Sequence, residues 1–136
     1  MNTCNIFILD DNEAFLKFFH HRVERQAYSL QVTSHCNINI HSFSHAEYFK
    51  QKLDHTVDLV IMDYNLGHGL NAFTLLDSLM HTHSIPDIIL ISESQGLDFM
   101  FKDLRKHVKA FIRKDEYLPA KACILIEEFI ETQMHG

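Results

Sequence analysis

Residues 57–63 read VDLVIMD, a short and nearly continuous apolar run that ends in an aspartate. A run of this length and composition indicates a strand that is covered on both faces, as in a parallel sheet. A second run, NIFILD at residues 5–10, also ends in an aspartate and is followed directly by Asp11. Two buried strands that end in carboxylates point to polar chemistry at one edge of a sheet.

The rest of the chain repeats the order of strand and then helix. Three further strands are predicted, at residues 38–43 (INIHSF), 87–92 (DIILIS) and 110–114 (AFIRK). The later helices are predicted from apolar residues at helical spacing, from Ala72 to Met80, over 96–108, and from Ala122 to Ile130. Five strands that alternate with helices predict an α/β fold with a parallel sheet between two helix layers.

The first half of the chain carries two further helix signals. An amphipathic helix is predicted over residues 12–28, with an inward-facing stripe of Phe15, Phe18, Phe19 and Val23. The polar residues 29–37 predict a longer connection to the second strand. Ser44 stands three residues before Glu47, which predicts a capping box at the start of the second helix.

Composition indicates one folded domain over residues 1–136, with no output domain in this chain. Hydrophobic residues make up 46% and charged residues 22%, as in soluble globular proteins. Twelve Lys and Arg against 18 Asp and Glu leave a net charge of -6, so direct binding of nucleic acid is not expected. Three cysteines without CxxC spacing favour a reducing cytoplasm, and no apolar run is long enough to cross a membrane.

The polar residues at the predicted strand ends form the candidate site. They are Asp10 and Asp11 after the first strand, Asp63 after the third, Ser92 after the fourth and Lys114 after the fifth. Ligands of such sheets bind at the carboxyl ends of the strands. Three neighbouring carboxylates repel one another unless a hard cation such as Mg²⁺ binds them. With charge neutralised, an aspartate is a competent nucleophile toward phosphorus.

Over essentially its whole length, the chain resembles the response regulator receiver domains of two-component signalling. The resemblance rests on the acidic pair in ILDDNE, the aspartate in VIMDYNLG, the serine in LISES and the lysine in AFIRKDE. It implies a doubly wound, flavodoxin-like (βα)5 fold with the strand order 2-1-3-4-5. It also implies a signalling switch rather than an enzyme, with a histidine kinase or a histidine phosphotransfer protein as phosphoryl donor.

By the same resemblance, each candidate residue has an expected role. Asp63 is expected to accept the phosphoryl group, with Lys114 and Ser92 binding its oxygens. Asp11 and Asp63 are expected to ligate Mg²⁺ directly, Asp10 to assist through water, and the backbone carbonyl of Asn65 to complete the protein ligands.

The resemblance also implies a conformational switch and an output face. Ser92 is expected to move toward the phosphoryl group while Phe111 rotates inward. A downstream protein or a second copy of the chain is expected to bind at the fourth helix, the fifth strand and the last helix.

Three features depart from the family pattern. The interval from the acidic pair to Asp63 is longer than usual, and we assign the extra residues to a surface insertion before the second strand. Asp115 stands where many relatives have proline, which leaves the isomer of the Lys114–Asp115 peptide bond open. Phe111 lacks the hydroxyl group of a tyrosine.

Other interpretations of the same residues remain open. The strand-end Asp, Ser and Lys also suit a Mg²⁺-dependent phosphatase of the haloacid dehalogenase type, but that class typically has a second aspartate where this chain has Asn65. A scaffold that works without phosphorylation is a third hypothesis. Asp10 and Asp11 could instead cap the first helix, and Phe111 could be an ordinary core residue. The eleven histidines show no metal-site spacing.

Overall fold

The computed structural model describes residues 2–93 and 106–134. Its five strands are β1 (Asn2–Leu9), β2 (Cys36–Phe43), β3 (Leu59–Asp63), β4 (Asp87–Ser92) and β5 (Val108–Arg113). Its helices are α1 (Glu13–Ser34), α2 (Ala46–Lys52), α3 (Ala72–Met80) and α4 (Leu118–Phe129), and the chain continues from α4 into a π-helical turn at Ile130–Met134. Most of the helix predicted over 96–108 lies outside the described residues. The predicted end of that helix is wrong, because residues 106 and 107 form a turn and Val108 begins β5.

All neighbouring strands are parallel, and their order in the sheet is β2-β1-β3-β4-β5. The predicted doubly wound α/β fold is therefore confirmed. Side chains alternate across the sheet, so Ile6 and Ile8 pack with α1 and α4 on one face, while Phe7 and Leu9 pack with α2 and α3 on the other. The winding direction reverses between β1 and β3, which is where such sheets bind their ligands.

Helix α1 differs from its prediction in both length and orientation. It continues through residues 29–34, where a connection was predicted, and ends only at His35 in a left-handed conformation (φ 54°). The polar side chains there are satisfied locally, since the Gln31 Oε1 atom accepts a hydrogen bond from the Ile38 amide at 2.7 Å. The expected surface insertion is therefore wrong, and these residues lengthen the helix. Phe18 is 52% exposed, and the inward face instead consists of Leu16, Phe19, Val23 and Ala27, with Phe15 half-buried.

The capping box predicted for the second helix is not formed. His45 is the N-cap residue of α2 and makes no side-chain capping bond. Because the helix starts one residue later than predicted, Glu47 occupies the second helical position and cannot reach back to cap. It pairs instead with Lys50, at 3.4 Å. Helix α3 begins as predicted at Ala72, with the Asn71 side chain accepting the Thr74 amide.

All three cysteines are buried and unpaired. Burial raises the pKa of the Cys4 thiol to about 12 and that of Cys123 to about 11, so both are neutral packing groups at physiological pH. Within residues 2–93 and 106–134, no helix combines the length and the apolar character needed to span a bilayer.

Candidate functional site

Three charged side chains from distant parts of the sequence meet at the carboxyl edge of the sheet. Asp10 follows β1, Asp63 ends β3, and Lys114 follows β5. The Nζ atom of Lys114 donates hydrogen bonds to Oδ2 of Asp10 and to Oδ2 of Asp63, each at 3.0 Å. The long lysine side chain reaches past the end of β4 to make these contacts. The structure therefore brings together the predicted acidic and basic residues as a single charged cluster.

Burial controls the electrostatics of this cluster. Only 1% of Asp10 and 6% of Asp63 are exposed. Burial raises the pKa of the Asp63 carboxyl; the hydrogen bond from Lys114 opposes this only in part, and the charge of Asp10 adds to the rise. Burial alone would lower the pKa of the Lys114 ammonium, but its hydrogen bonds to Asp10 and Asp63 outweigh that effect and raise it. One ammonium thus binds two buried carboxylates, and it does not fully offset the cost of their burial and mutual repulsion.

Asp11 adds a third carboxylate on the solvent side. Oxygen atoms of Asp10, Asp11 and Asp63 all lie within 4.8 Å of one another, and within the described part of the chain this is the one such group of three or more possible metal-binding side chains. Hard cations such as Mg²⁺ prefer oxygen ligands of this kind and keep several waters. The arrangement therefore fits the predicted magnesium site.

The loop after β3 lines a cleft at this edge of the sheet. Asn65 donates its backbone N-H to Oδ1 of Asp63 at 3.3 Å, and its side-chain oxygen accepts the Gly67 amide at 3.1 Å. Gly67, His68 and Gly69 all have positive φ. Asn65 lines the same cleft as Asp11, Asp63, Ser92 and Lys114, and the role of its carbonyl as a metal ligand stays a prediction.

The two residues expected to form the switch occupy different environments. Ser92 ends β4, is buried, and lines the cleft beside Asp63 and Lys114. Its carbonyl accepts the Lys114 amide at 2.9 Å, which fixes the start of the loop after β5. Phe111 is 37% exposed on β5, where it lines a surface groove with Lys121, Ile124 and Leu125. The interpretation of Phe111 as an ordinary core residue is therefore wrong.

The peptide bond after Lys114 is also defined. Residues 2–93 and 106–134 contain no cis peptide bond, so Lys114–Asp115 is trans.

Sequence reasoning missed two residues that contact the cluster. The Lys114 Nζ atom lies 4.2 Å from the ring centroid of Phe15, which the sequence pattern placed simply in the core. Asn12 caps α1, accepting the Phe15 amide at 3.0 Å, so the cap is neither Asp10 nor Asp11. An asparagine before a helical pattern signals such a cap, whereas no local signal predicts the contact between Phe15 and Lys114.

The histidines do not add a metal site in the described ranges, where none joins a group of three ligands. His20 instead bonds to the Ser42 hydroxyl through Nδ1 and to Glu24 through Nε2.

Comparison with solved structures identifies the fold. A CheY-like response regulator receiver domain protein from Methanospirillum hungatei superposes with a TM-score of 0.71 at 18% identity, over 98% of each chain. The N-terminal domain of an uncharacterized Wolinella succinogenes protein gives 0.74 at 17% identity, over 97% of this chain and 98% of that one. The signal receiver domain of an HD domain-containing protein from Pseudomonas fluorescens gives 0.69 at 17% identity, over 99% and 92%.

These likenesses show that this chain has the CheY-like receiver fold. No protein-family model matches the sequence, and no curated protein matches it.

Proposed function

We propose that the chain, as a single domain over residues 1–136, is a phosphoacceptor receiver domain of a two-component system. Asp63 would accept a phosphoryl group from a phosphohistidine of a histidine kinase or phosphotransfer protein. The observation that carries this proposal is the position of the Lys114 ammonium, 3.0 Å from both Asp63 and Asp10 beside a third carboxylate. A nucleophile, a cation and a set of oxygen ligands are the parts that phosphoryl transfer to a carboxylate requires.

In the proposed reaction, a carboxylate oxygen of Asp63 forms a bond to phosphorus while the bond to the donor imidazole breaks. Asp10, Asp11, Asp63 and the Asn65 carbonyl would hold Mg²⁺, which neutralises negative charge on the transferring group. Lys114 would exchange its bond to Asp63 for one to a phosphoryl oxygen, because the new group offers stronger acceptor oxygens. The buried Ser92 hydroxyl lines the same cleft and would bind another of these oxygens.

The proposed output is a change in partner binding at the surface formed by β5 and α4. Phe111 and Ile124, which is 56% exposed, line a groove there with Leu125. Apolar side chains exposed together suit a downstream protein or a second copy of the chain. Phosphorylation would shift the population of two conformations of this face, with Ser92 and Phe111 linking it to the site.

The phosphatase hypothesis lacks support from the loop after β3. A phosphatase of this type needs a general acid and base two residues beyond its nucleophile. The side-chain amide of Asn65, which stands there, cannot accept or donate the proton. The side-chain oxygen of Asn65 is moreover bonded to the Gly67 amide. The proposed chemistry of the domain is therefore limited to its own phosphorylation and slow dephosphorylation.

The test is phosphorylation by acetyl phosphate with Mg²⁺, followed by intact-protein mass spectrometry and by amide NMR with beryllofluoride. We expect one hydroxylamine-sensitive phosphoryl group in the wild type and none in Asp63→Asn. We also expect beryllofluoride to shift amides around Asp63 and Ser92 in the wild type alone. A wild type that binds Mg²⁺ but shows neither response would contradict the proposal and favour the scaffold hypothesis.

A further inference from the structure

The Lys114 ammonium has a third partner besides its two carboxylates. The face of the Phe15 ring lies over it, with the Nζ atom 4.2 Å from the ring centroid. This distance is well within the range of a cation-π interaction, in which the negative face of an aromatic ring attracts a cation. The lysine side chain is only 13% exposed, so little water competes with the ring for the ammonium.

Phe15 is held in this position from two sides. Its amide donates to the side chain of Asn12 at 3.0 Å, which fixes it in the first turn of α1. Its ring stacks on Phe19, with centroids 5.5 Å apart and planes inclined by 12°. Phe19 is completely buried, so the stacked ring rests on the rigid core.

These contacts belong to a closed network of four residues. Oδ2 of Asp10 accepts from Lys114, and Oδ1 of Asp10 accepts the Asn12 amide at 2.9 Å. Asn12 caps Phe15, and the Phe15 ring covers Lys114. One six-residue segment, 10–15, therefore supplies both a carboxylate and an aromatic face to the same ammonium.

An aromatic ring differs from a carboxylate as a partner here. The site already holds three acidic groups, two of which bind the one lysine, and another formal negative charge would deepen their repulsion. The ring attracts the ammonium through its quadrupole and carries no net charge. A benzene ring also does not ligate Mg²⁺, so it stays available to Lys114 when the carboxylates turn to a metal.

We infer that Phe15 is a positioning residue of the phosphoacceptor site, whose ring holds the Lys114 ammonium where a phosphoryl oxygen would meet it. This inference rests on the proposed function for its consequence, while the contact itself does not depend on that function. Loss of the ring leaves Lys114 freer to move and more hydrated, and Asp63 then loses part of the charge stabilisation on which its phosphorylation depends.

The test separates the electronic character of the ring from its shape. Phenylalanine with one, two or three ring fluorines is inserted at position 15, because fluorines weaken the negative face with little change in size. The matched control is the same series at Phe18, which lies on the same helix, is exposed, and has the Arg22 guanidinium over its ring at 5.9 Å. Phe15→Leu, Phe15→Tyr and the control Phe18→Leu complete the set. Acetyl phosphate is the donor, because it needs no docking to α1.

We expect the phosphorylation rate to fall stepwise with each fluorine at position 15 and to stay constant in the Phe18 series. Phe15→Leu should lose about two- to tenfold in rate, whereas Phe15→Tyr, which retains the ring, should keep most of the activity. A flat fluorine series at position 15, or equal effects of Phe15→Leu and Phe18→Leu, would overturn the inference.

A second readout requires no phosphoryl donor. The ring current of Phe15 should shift the NMR resonance of the Lys114 ammonium in the protein without Mg²⁺, and each added fluorine, which weakens the contact, should move that resonance stepwise back toward its ordinary position. A wild type that is never phosphorylated would contradict the proposed function alone. The ammonium resonance would then test the contact between Phe15 and Lys114 by itself. A resonance that does not move with fluorination would refute that contact.

Discussion

A Cβ atom added to Gly67 would lie 2.5 Å from the Oδ2 atom of Asp11, closer than a van der Waals contact allows. Gly67 also has φ +79°, a conformation that other L-residues adopt at a cost. The Asp11 carboxylate can therefore lie against the loop after β3 as it does because residue 67 has no side chain. A side chain at residue 67 would displace this exposed carboxylate of the candidate magnesium site.

Gly67→Ala should weaken Mg²⁺ binding, because the added methyl group displaces the Asp11 carboxylate. We expect about a tenfold loss of affinity, typical of changes that reorient a metal ligand, in a titration followed by NMR or calorimetry. Gly69→Ala is the matched control, since Gly69 has φ +77° but nothing within 4 Å of an added Cβ. Both variants should lose about 1–2 kcal/mol of stability from backbone strain. Equal Mg²⁺ affinities in the two variants would contradict this explanation.

Lys114→Met should destabilise the protein strongly at neutral pH, because it leaves the carboxylates of Asp10 and Asp63 buried without their cation. We expect a loss of about 3–5 kcal/mol in urea unfolding, partly recovered by millimolar Mg²⁺. Lys109→Met is the control, since its ammonium lies 3.9 Å from Asp87 on an exposed side chain. That variant should change stability by less than about 0.5 kcal/mol. A similar small loss for Lys114→Met would show that the cluster is not electrostatically strained.

Asp63→Asn should make the Mg²⁺-free protein more stable than the wild type at neutral pH. The pKa of the Asp63 carboxyl is raised in the folded state above its ordinary value of 3.8. Between pH 3.8 and the pKa of the folded state, the folded protein therefore binds more protons than the unfolded protein. Wild-type stability therefore falls as pH rises through that window, and the loss persists above it.

The measurement is the difference in unfolding free energy between Asp63→Asn and the wild type at a series of pH values without Mg²⁺. We expect this difference to favour the variant increasingly as pH rises from 3.8 toward neutrality. The same proton competes with the metal, so the Mg²⁺ affinity of the wild type should fall as pH is lowered. A variant that is less stable than the wild type at neutral pH would mean that the Lys114 bond outweighs burial.

His35→Gly should stabilise the protein by about 1 kcal/mol, because the residue that ends α1 has φ 54° and glycine adopts this conformation without strain. Ser34→Gly, one residue earlier and inside the helix, should instead cost about 0.5–1 kcal/mol. Thermal or urea unfolding measures both. Equal effects of the two substitutions would argue that α1 ends before residue 34, as the sequence pattern predicted.

Much of the fold could be predicted from sequence because its signals are local. The runs at residues 5–10, 57–63 and 87–92 are apolar enough to mark buried strands, and the spacing from Ala72 to Leu79 marks a helix with one inward face. The strand-end positions of Asp10 and Asp63 follow from those boundaries, and that of Lys114 follows from the predicted strand at 110–114. The contact between them then follows from parallel topology, which brings carboxyl ends of strands to one edge.

The local sequence pattern gave wrong predictions where polar residues fold as regular secondary structure. Residues 29–34 look like a connection, but their hydroxyl and amide groups bond within α1 and to β2. The Ser44 and Glu47 pair has the spacing of a capping box, but the helix begins one residue too late to use it. In both cases the neighbouring strands and core decide where the helix begins or ends, and this information is not local.

The sequence by itself determined the parallel α/β fold, the order of its elements and the set of charged residues at the edge of the sheet, because periodicity and strand ends are local properties of the chain. Only the tertiary structure decided that Phe15 covers Lys114, that Gly67 abuts Asp11 and that Phe111 faces outward. These relationships join residues far apart in the sequence, or depend on which side of the sheet is covered. They arise from packing, which no short stretch of sequence encodes.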